Sequence, residues 1–166
     1  MASNPRKQRN SRIFAPLDRT EREIVRVLQQ NARISNRTLA EMTGIAPSTC
    51  ADRVRRLRER GVIRGFHAEV DPDAVGRPIQ AIVGVRLRVH SRDAIDAFQR
   101  HINELPQSVA VYHVGGSDDY LVHVAVEDTG ALRNLVVDDF TARPEVEHVE
   151  TRLVFEFTRK HAIEPA

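Results

Sequence analysis

Apolar residues recur at two different periods along this chain, and the period changes near its middle. In residues 17–31, LDRTEREIVRVLQQN, the apolar side chains of Leu17, Ile24, Val27 and Leu28 form a helical stripe, with Asp18 placed near its start. Residues 35–44, SNRTLAEMTG, open on a good N-cap, Ser35, and close on Gly44, the residue type that most often ends a helix. Three residues later Pro47 suits the first turn of another helix. At about 100° per residue, Cys50, Val54 and Leu57 of that helix share one narrow inward stripe. A helix, a short helix, a tight turn at Gly44 and a third helix make the helix-turn-helix order. Residues 62–70, VIRGFHAEV, are strand-like around a turn near Arg64-Gly65 and predict a small wing, and the Pro, Gly and Asp of residues 71–78, DPDAVGRP, predict a linker.

Beyond residue 78 the period becomes two. Every odd position from Ile79 to Val89 is apolar, a strand with one buried face. Ile95, Phe98, Ile102 and Leu105 then return to helical spacing. VAVYHV and YLVHVAV are two strands joined by GGSDD, a hairpin signal. A second helix is expected over residues 131–140, and a last strand from the alternation of Val149, Thr151, Leu153, Phe155 and Phe157. The order βαββαβ is the ferredoxin-like split unit. One sheet face would carry both helices, and the apolar and mixed residues of the other suggest packing against a second copy. The expected class is therefore α+β. A basic disordered tail (1–16) precedes a winged helix-turn-helix domain (17–70), a linker (71–78), the βαββαβ domain (79–160) and a short tail (161–166).

Charge sharpens this division. The whole chain has a net charge of only +2, yet residues 1–65 carry 15 Lys and Arg against 6 Asp and Glu, while residues 66–166 carry 10 against 17. A front half at +9 calls for an anionic polymer or a membrane surface as partner, and the acidic back half at −7 must do something else. No apolar run approaches the length of a bilayer span, and the first dozen residues lack the apolar core of a signal peptide. With one cysteine no internal disulfide is possible, which fits a reducing cytoplasm, and Cys50 on its inward stripe is expected to be a small buried hydrophobe.

On the third helix, Ser48, Thr49 and Asp52 lie on the outward N-terminal half, where a recognition helix meets base edges. Hydroxyls can bond several bases, and an aspartate can accept from cytosine N4. Arg55 and Arg56, a turn further on, suit phosphate or guanine. Arg37, near the start of the preceding helix, suits phosphate together with that helix's free N–H groups. Arg53 sits beside the inward stripe, where an ion pair with Glu21 or Glu23 competes with a DNA contact. In the GGSDD turn, two glycines let peptide N–H groups approach a carboxylate while Asp119 could hold an ammonium group, although an ordinary hairpin turn favours the same residues. The seven histidines form no metal-ligand spacing, and Cys50 and the Asp118-Asp119 pair have no catalytic context, so neither a metal site nor an enzyme is expected.

The stretch ISNRTLAEMTGIAPSTCADRVRRLRERGVIRGF, followed by DPDAVG and later by VGGSDDYLV, resembles the Lrp/AsnC (feast/famine) transcriptional regulators. Its strongest parts are the block from Cys50 to Ile63 and the G-x-x-D-Y loop from Gly116 to Tyr120, and it extends over about residues 17–160. The resemblance implies a DNA-binding regulator whose RAM/ACT-like βαββαβ domain assembles dimers into octamers or other higher oligomers. It also implies an amino-acid effector, and no other cofactor, bound near Val114, Gly115, Gly116, Ser117, Asp118, Asp119, Tyr120 and Thr151. The chain departs from the family pattern at Ala46, where a capping Ser is common, and at Ser117 and Asp118 of the loop. Two rivals remain: an architectural DNA-binding protein without an effector, and an enzyme subunit with a ligand domain of this kind. The latter leaves the basic half unexplained.

Overall fold

The computed structural model describes residues 15–160 and 162–164. The expected basic tail falls almost wholly outside these residues. The described residues divide into two compact units, one formed by residues 15–68 together with 159, 160 and 162–164, the other by Glu69–Thr158.

The first unit is helical. α1, Arg19–Gln30, starts with a capping box: Asp18 Oδ1 accepts from Glu21 N at 2.8 Å, and Glu21 Oε2 accepts from Asp18 N at 3.1 Å. Two of the first-turn donors that no helical carbonyl can reach are thereby satisfied. α2, Asn36–Thr43, is capped by the Ser35 hydroxyl and ends at Gly44, whose φ of 68° turns the chain sharply. α3, Pro47–Glu59, follows after two residues. Ile24, Val27, Leu39, Ala40, Cys50 and Leu57 form the buried core, so Cys50 is the interior hydrophobe its stripe predicted, and burial pushes its thiol pKa up. In residues 62–70, expected to be strand-like, no strand forms, because no ladder partner lies alongside them among the described residues.

The second unit contains β1 (Ile79–Leu87), α4 (Arg92–Glu104), β2 (Ser108–His113), β3 (Tyr120–Val126), α5 (Thr129–Leu135) and β4 (Val146–Leu153). Its four-stranded sheet is antiparallel in the order β2-β3-β1-β4. α5 begins two residues earlier than the sequence indicates, because the Asp128 side chain accepts from Ala131 N and pulls Thr129 and Gly130 into the first turn. A π-helical turn, Val136–Thr141, continues it and places Phe140 in the core. Alternation along the strands separates two faces. Val83, Val85, Leu87, Val122 and Val124 join Phe98, Ile102, Leu135 and Phe140 in the main core. Ile82, Gly84 and Arg86 lie on the opposite face of β1, with Leu121 and His123 of β3 on the same side by register.

β4 is shorter than its alternation predicted. Leu153 pairs with Ala81, and the last bond runs from Val154 N to Gln80 O, at the start of β1. Past that point the ladder has no partner strand, and of the alternating set Val149 is half-buried, whereas Thr151, Leu153 and Phe157 are exposed and Phe155 is 96% exposed.

Candidate nucleic-acid interface and effector loop

α3 is held at its start by packing and turn geometry rather than by its own cap. Ala46 supplies no capping oxygen, a deficit typically worth about 1 kcal/mol at a helix N-terminus. Ser48 and Thr49 make no capping bond in its place. Instead Pro47 presets the first turn, and Asn36 at the head of α2 donates from Nδ2 to Pro47 O at 2.8 Å. This bond ties the two helices of the motif together at the turn.

Ser48 and Thr49 are exposed, as an outward reading face requires. Asp52 is half-buried between two cations: one oxygen accepts from Arg55 Nη2, and the other lies 2.9 Å from Arg56 Nη2. Glu59 Oε1 stands 3.8 Å from Arg55 Nε. Arg53 turns away from this group and bonds Asp18, the N-cap of α1, at 2.5 Å. The carboxylates weighed for it are already occupied, Glu21 by Arg60 at 2.7 Å and Glu23 by Arg26 at 2.6 Å. The Glu21 N–H and the Arg53 guanidinium together hold the Asp18 carboxyl below its ordinary pKa. Arg37 is almost fully exposed and pairs with Glu41 one turn on, at 3.1 Å. Sequence reasoning passed over Arg58 and Arg64, exposed cations with no acidic partner among the described residues. Their lack of an acid one turn away was the available signal.

The loop between β2 and β3 is anchored from three sides. Its neck closes through Val114 N to Asp119 O at 2.9 Å and Asp119 N to Val85 O at 2.8 Å. The Asp119 carboxylate accepts from Leu87 N at 2.8 Å and meets His90 Nε2 at 2.8 Å, just ahead of α4. Burial pushes the Asp119 pKa up, but the Leu87 and His90 hydrogen bonds and the nearby His90 and His113 charges hold it below the ordinary value. Arg86 Nε donates to Ser117 O at 2.7 Å. Asp118 folds onto the open sheet face with Arg152 Nη1 at 3.7 Å. Gly84 makes room for that arrangement, since a Cβ there would stand 3.0 Å from both Asp118 Oδ2 and Arg152 Nη1.

Between these anchors the peptide N–H groups of Gly115, Gly116, Ser117 and Asp118 lie outside the strand ladder, and Gly116 has a φ of 131° that a side chain would strain. The structure brings Val114 to Tyr120 into one loop. Tyr120 is buried beneath it, stacked on His113 with ring centroids 4.6 Å apart. Thr151 is not part of that cluster: it is exposed on β4 opposite Val83, with β1 intervening. Among the described residues no three His, Cys, Asp or Glu side chains gather as metal ligands, and no helix is long and apolar enough to cross a membrane.

Comparison with known proteins places both units. Residues 80–162 match the family model described as the Lrp/AsnC ligand binding domain, and residues 17–64 match winged helix-turn-helix DNA-binding. An HTH-type transcriptional regulator, AldR, of Mycolicibacterium smegmatis is 48% identical over 143 residues, covering 86% of this chain and 84% of that protein. The leucine-responsive regulatory protein of Escherichia coli K12 is 32% identical over 140 residues, covering 84% and 85%. Among solved structures, a transcriptional regulator of Neisseria meningitidis in complex with L-Met superposes with a TM-score of 0.80 at 28% identity, covering 87% of this chain and 94% of that one.

Proposed function

This chain belongs to the Lrp/AsnC family of transcriptional regulators, not to a family of enzymes, and from that premise we propose that it is a sequence-specific regulator whose affinity for DNA is set by an amino-acid effector. The observation that carries the effector half is the loop of residues 115–119. It offers peptide N–H groups outside the ladder between fixed anchors, with the Asp119 carboxylate at its neck. A zwitterion needs donors for its carboxylate and an acceptor for its ammonium group. The peptide groups supply the first. A carboxylate has about four acceptor positions, so Asp119 retains capacity for the second beyond its Leu87 and His90 contacts. The L-Met bound by the Neisseria regulator supports this class of ligand.

For DNA, α3 enters the major groove with Ser48, Thr49, Asp52, Arg55 and Arg56 toward the bases, and Arg37 and α2 approach the backbone. The sheet domain joins copies through its open face into a dimer and then an octamer or another higher oligomer. Paired reading helices then require half-sites separated by whole helical turns. The effector alters operator affinity only by binding one assembly state more tightly than another. The site of action is the cytoplasm, where bacterial DNA lies.

Light scattering of the full chain against a panel of the twenty amino acids, paired with anisotropy on labelled promoter DNA, tests this. A change in both mass and affinity with one or a few amino acids is expected. DNA binding that no amino acid alters would remove the effector half and leave an architectural DNA-binding protein.

A further inference from the structure

The outward face of α3 is electrically neutral. Arg55 and Arg56 contribute two positive charges, and Asp52 and Glu59, both within ion-pair range of these arginines, contribute two negative ones. The cationic excess of the unit lies elsewhere: Arg19, Arg22, Arg33, Arg58 and Arg64 are exposed and have no salt-bridge partner among the described residues. A face used only to attract phosphate gains nothing from a carboxylate at its centre, because that charge repels the approaching polyanion. Asp52 sits at that centre. Its two oxygens are taken by two different guanidiniums, one turn away at i+3 and i+4.

We infer that Asp52 is a positioning residue for base recognition. It holds Arg55 and Arg56 so that their remaining N–H groups meet guanine edges in the major groove. An arginine has five donors in a fixed fork and gives up one to Asp52 while keeping enough to bond O6 and N7 together. A guanidinium already held on the protein loses less side-chain freedom on docking, so its selectivity for guanine rises. The same carboxylate lowers affinity for DNA lacking guanine at those positions, because there its charge is left facing the duplex. Specificity thus comes from an attractive and a repulsive part of one group. Direct acceptance from cytosine N4, the role residue type alone suggested for Asp52, would have to share oxygens that two guanidiniums already hold.

This inference rests on α3 reading DNA. It is tested by selection from randomised duplexes with the full chain, comparing the wild type with Asp52→Asn and Asp52→Glu. The wild type is expected to select guanine at two nearby positions of each half-site. Asp52→Asn should relax both guanine preferences by about tenfold each, since a good bidentate contact is worth that much discrimination or more. It should also bind a non-selected duplex several-fold more tightly at the same salt, by roughly the effect of one neutralised phosphate. Asp52→Glu, one methylene longer and still able to span to both arginines, should keep most of the preference. A merely helix-stabilising role would lower the melting temperature of Asp52→Asn without changing the selected sequences, and that result overturns the inference. Loss of preference at a single cytosine overturns it too, in favour of direct reading. A wild type that selects no sequence while still binding DNA removes base recognition altogether. No retention of duplex would remove the DNA-binding reading and this inference with it.

Discussion

The two units place their functional charges by different means. On α3 every ion pair of the outward face joins residues three or four apart, and most of the side chains involved are exposed. At the β2–β3 loop the partners are some thirty residues apart: Asp119 with Leu87 and His90, Ser117 with Arg86. The first arrangement belongs to a single helix and can form wherever that helix forms. The second exists only when β1 and β3 are already paired. A surface that must meet DNA can be written locally and kept adjustable, whereas a small-ligand loop needs atoms held in place by the tertiary fold.

The sharpest way to break this contrast is to damage one core and observe both sites. Phe98 is fully buried against Tyr120 and Phe140. Phe98→Ala should destabilise the sheet unit by about 3–5 kcal/mol, read as an earlier urea transition, while the helical signal of the first unit persists. If both units melt together at the lower urea concentration, their stabilities are coupled and the comparison fails. Asp119→Ala should have the next largest effect. It leaves the buried Leu87 N–H without an acceptor, at about 1–3 kcal/mol, and it should abolish the effector response while operator binding survives. A mutant that responds normally would reduce the loop to a turn.

On the helical side the effects are smaller and depend on salt. Arg37→Ala should weaken binding to all duplexes alike and reduce the slope of log affinity against log salt by about one unit. An unchanged slope would remove Arg37 from the backbone contacts. The smallest effect compares two depressed carboxylates. A carboxylate whose folded pKa lies below the ordinary value, about 3.9 for Asp, contributes stability that is present above that value and lost as pH falls through the folded pKa. Both Asp18 and Asp119 are of this kind. The Asp18 side chain is 51% exposed and that of Asp119 18%, so high salt should screen the Asp18 contribution and leave that of Asp119 largely intact. Urea melts of Asp18→Asn and Asp119→Asn across the acid range, at low and high salt, measure this. Equal salt sensitivity would mean the two acids share one environment.

Local pattern was sufficient for much of the molecule. Ser35, Gly44 and Pro47 marked the limits of α2 and the start of α3, because capping and turn chemistry act within a few residues. The inward position of Cys50 and Leu57 followed from helical period, and the buried face of β1 from a period of two. The candidate reading face was visible for the same reason. What the sequence could not determine was how charges pair between elements: Arg53 chose Asp18, an N-cap from another helix, rather than Glu21 or Glu23. The end of β4 was likewise not local. The alternation runs on to Phe157, but a strand lasts only as long as its neighbour, and β1 begins at Ile79. Asp119 is the clearest case. Its residue type and turn position suggested a site, yet only the pairing of β1 with β3 brought it the Leu87 N–H and the His90 ring, because hydrogen bonds across thirty residues depend on register rather than composition.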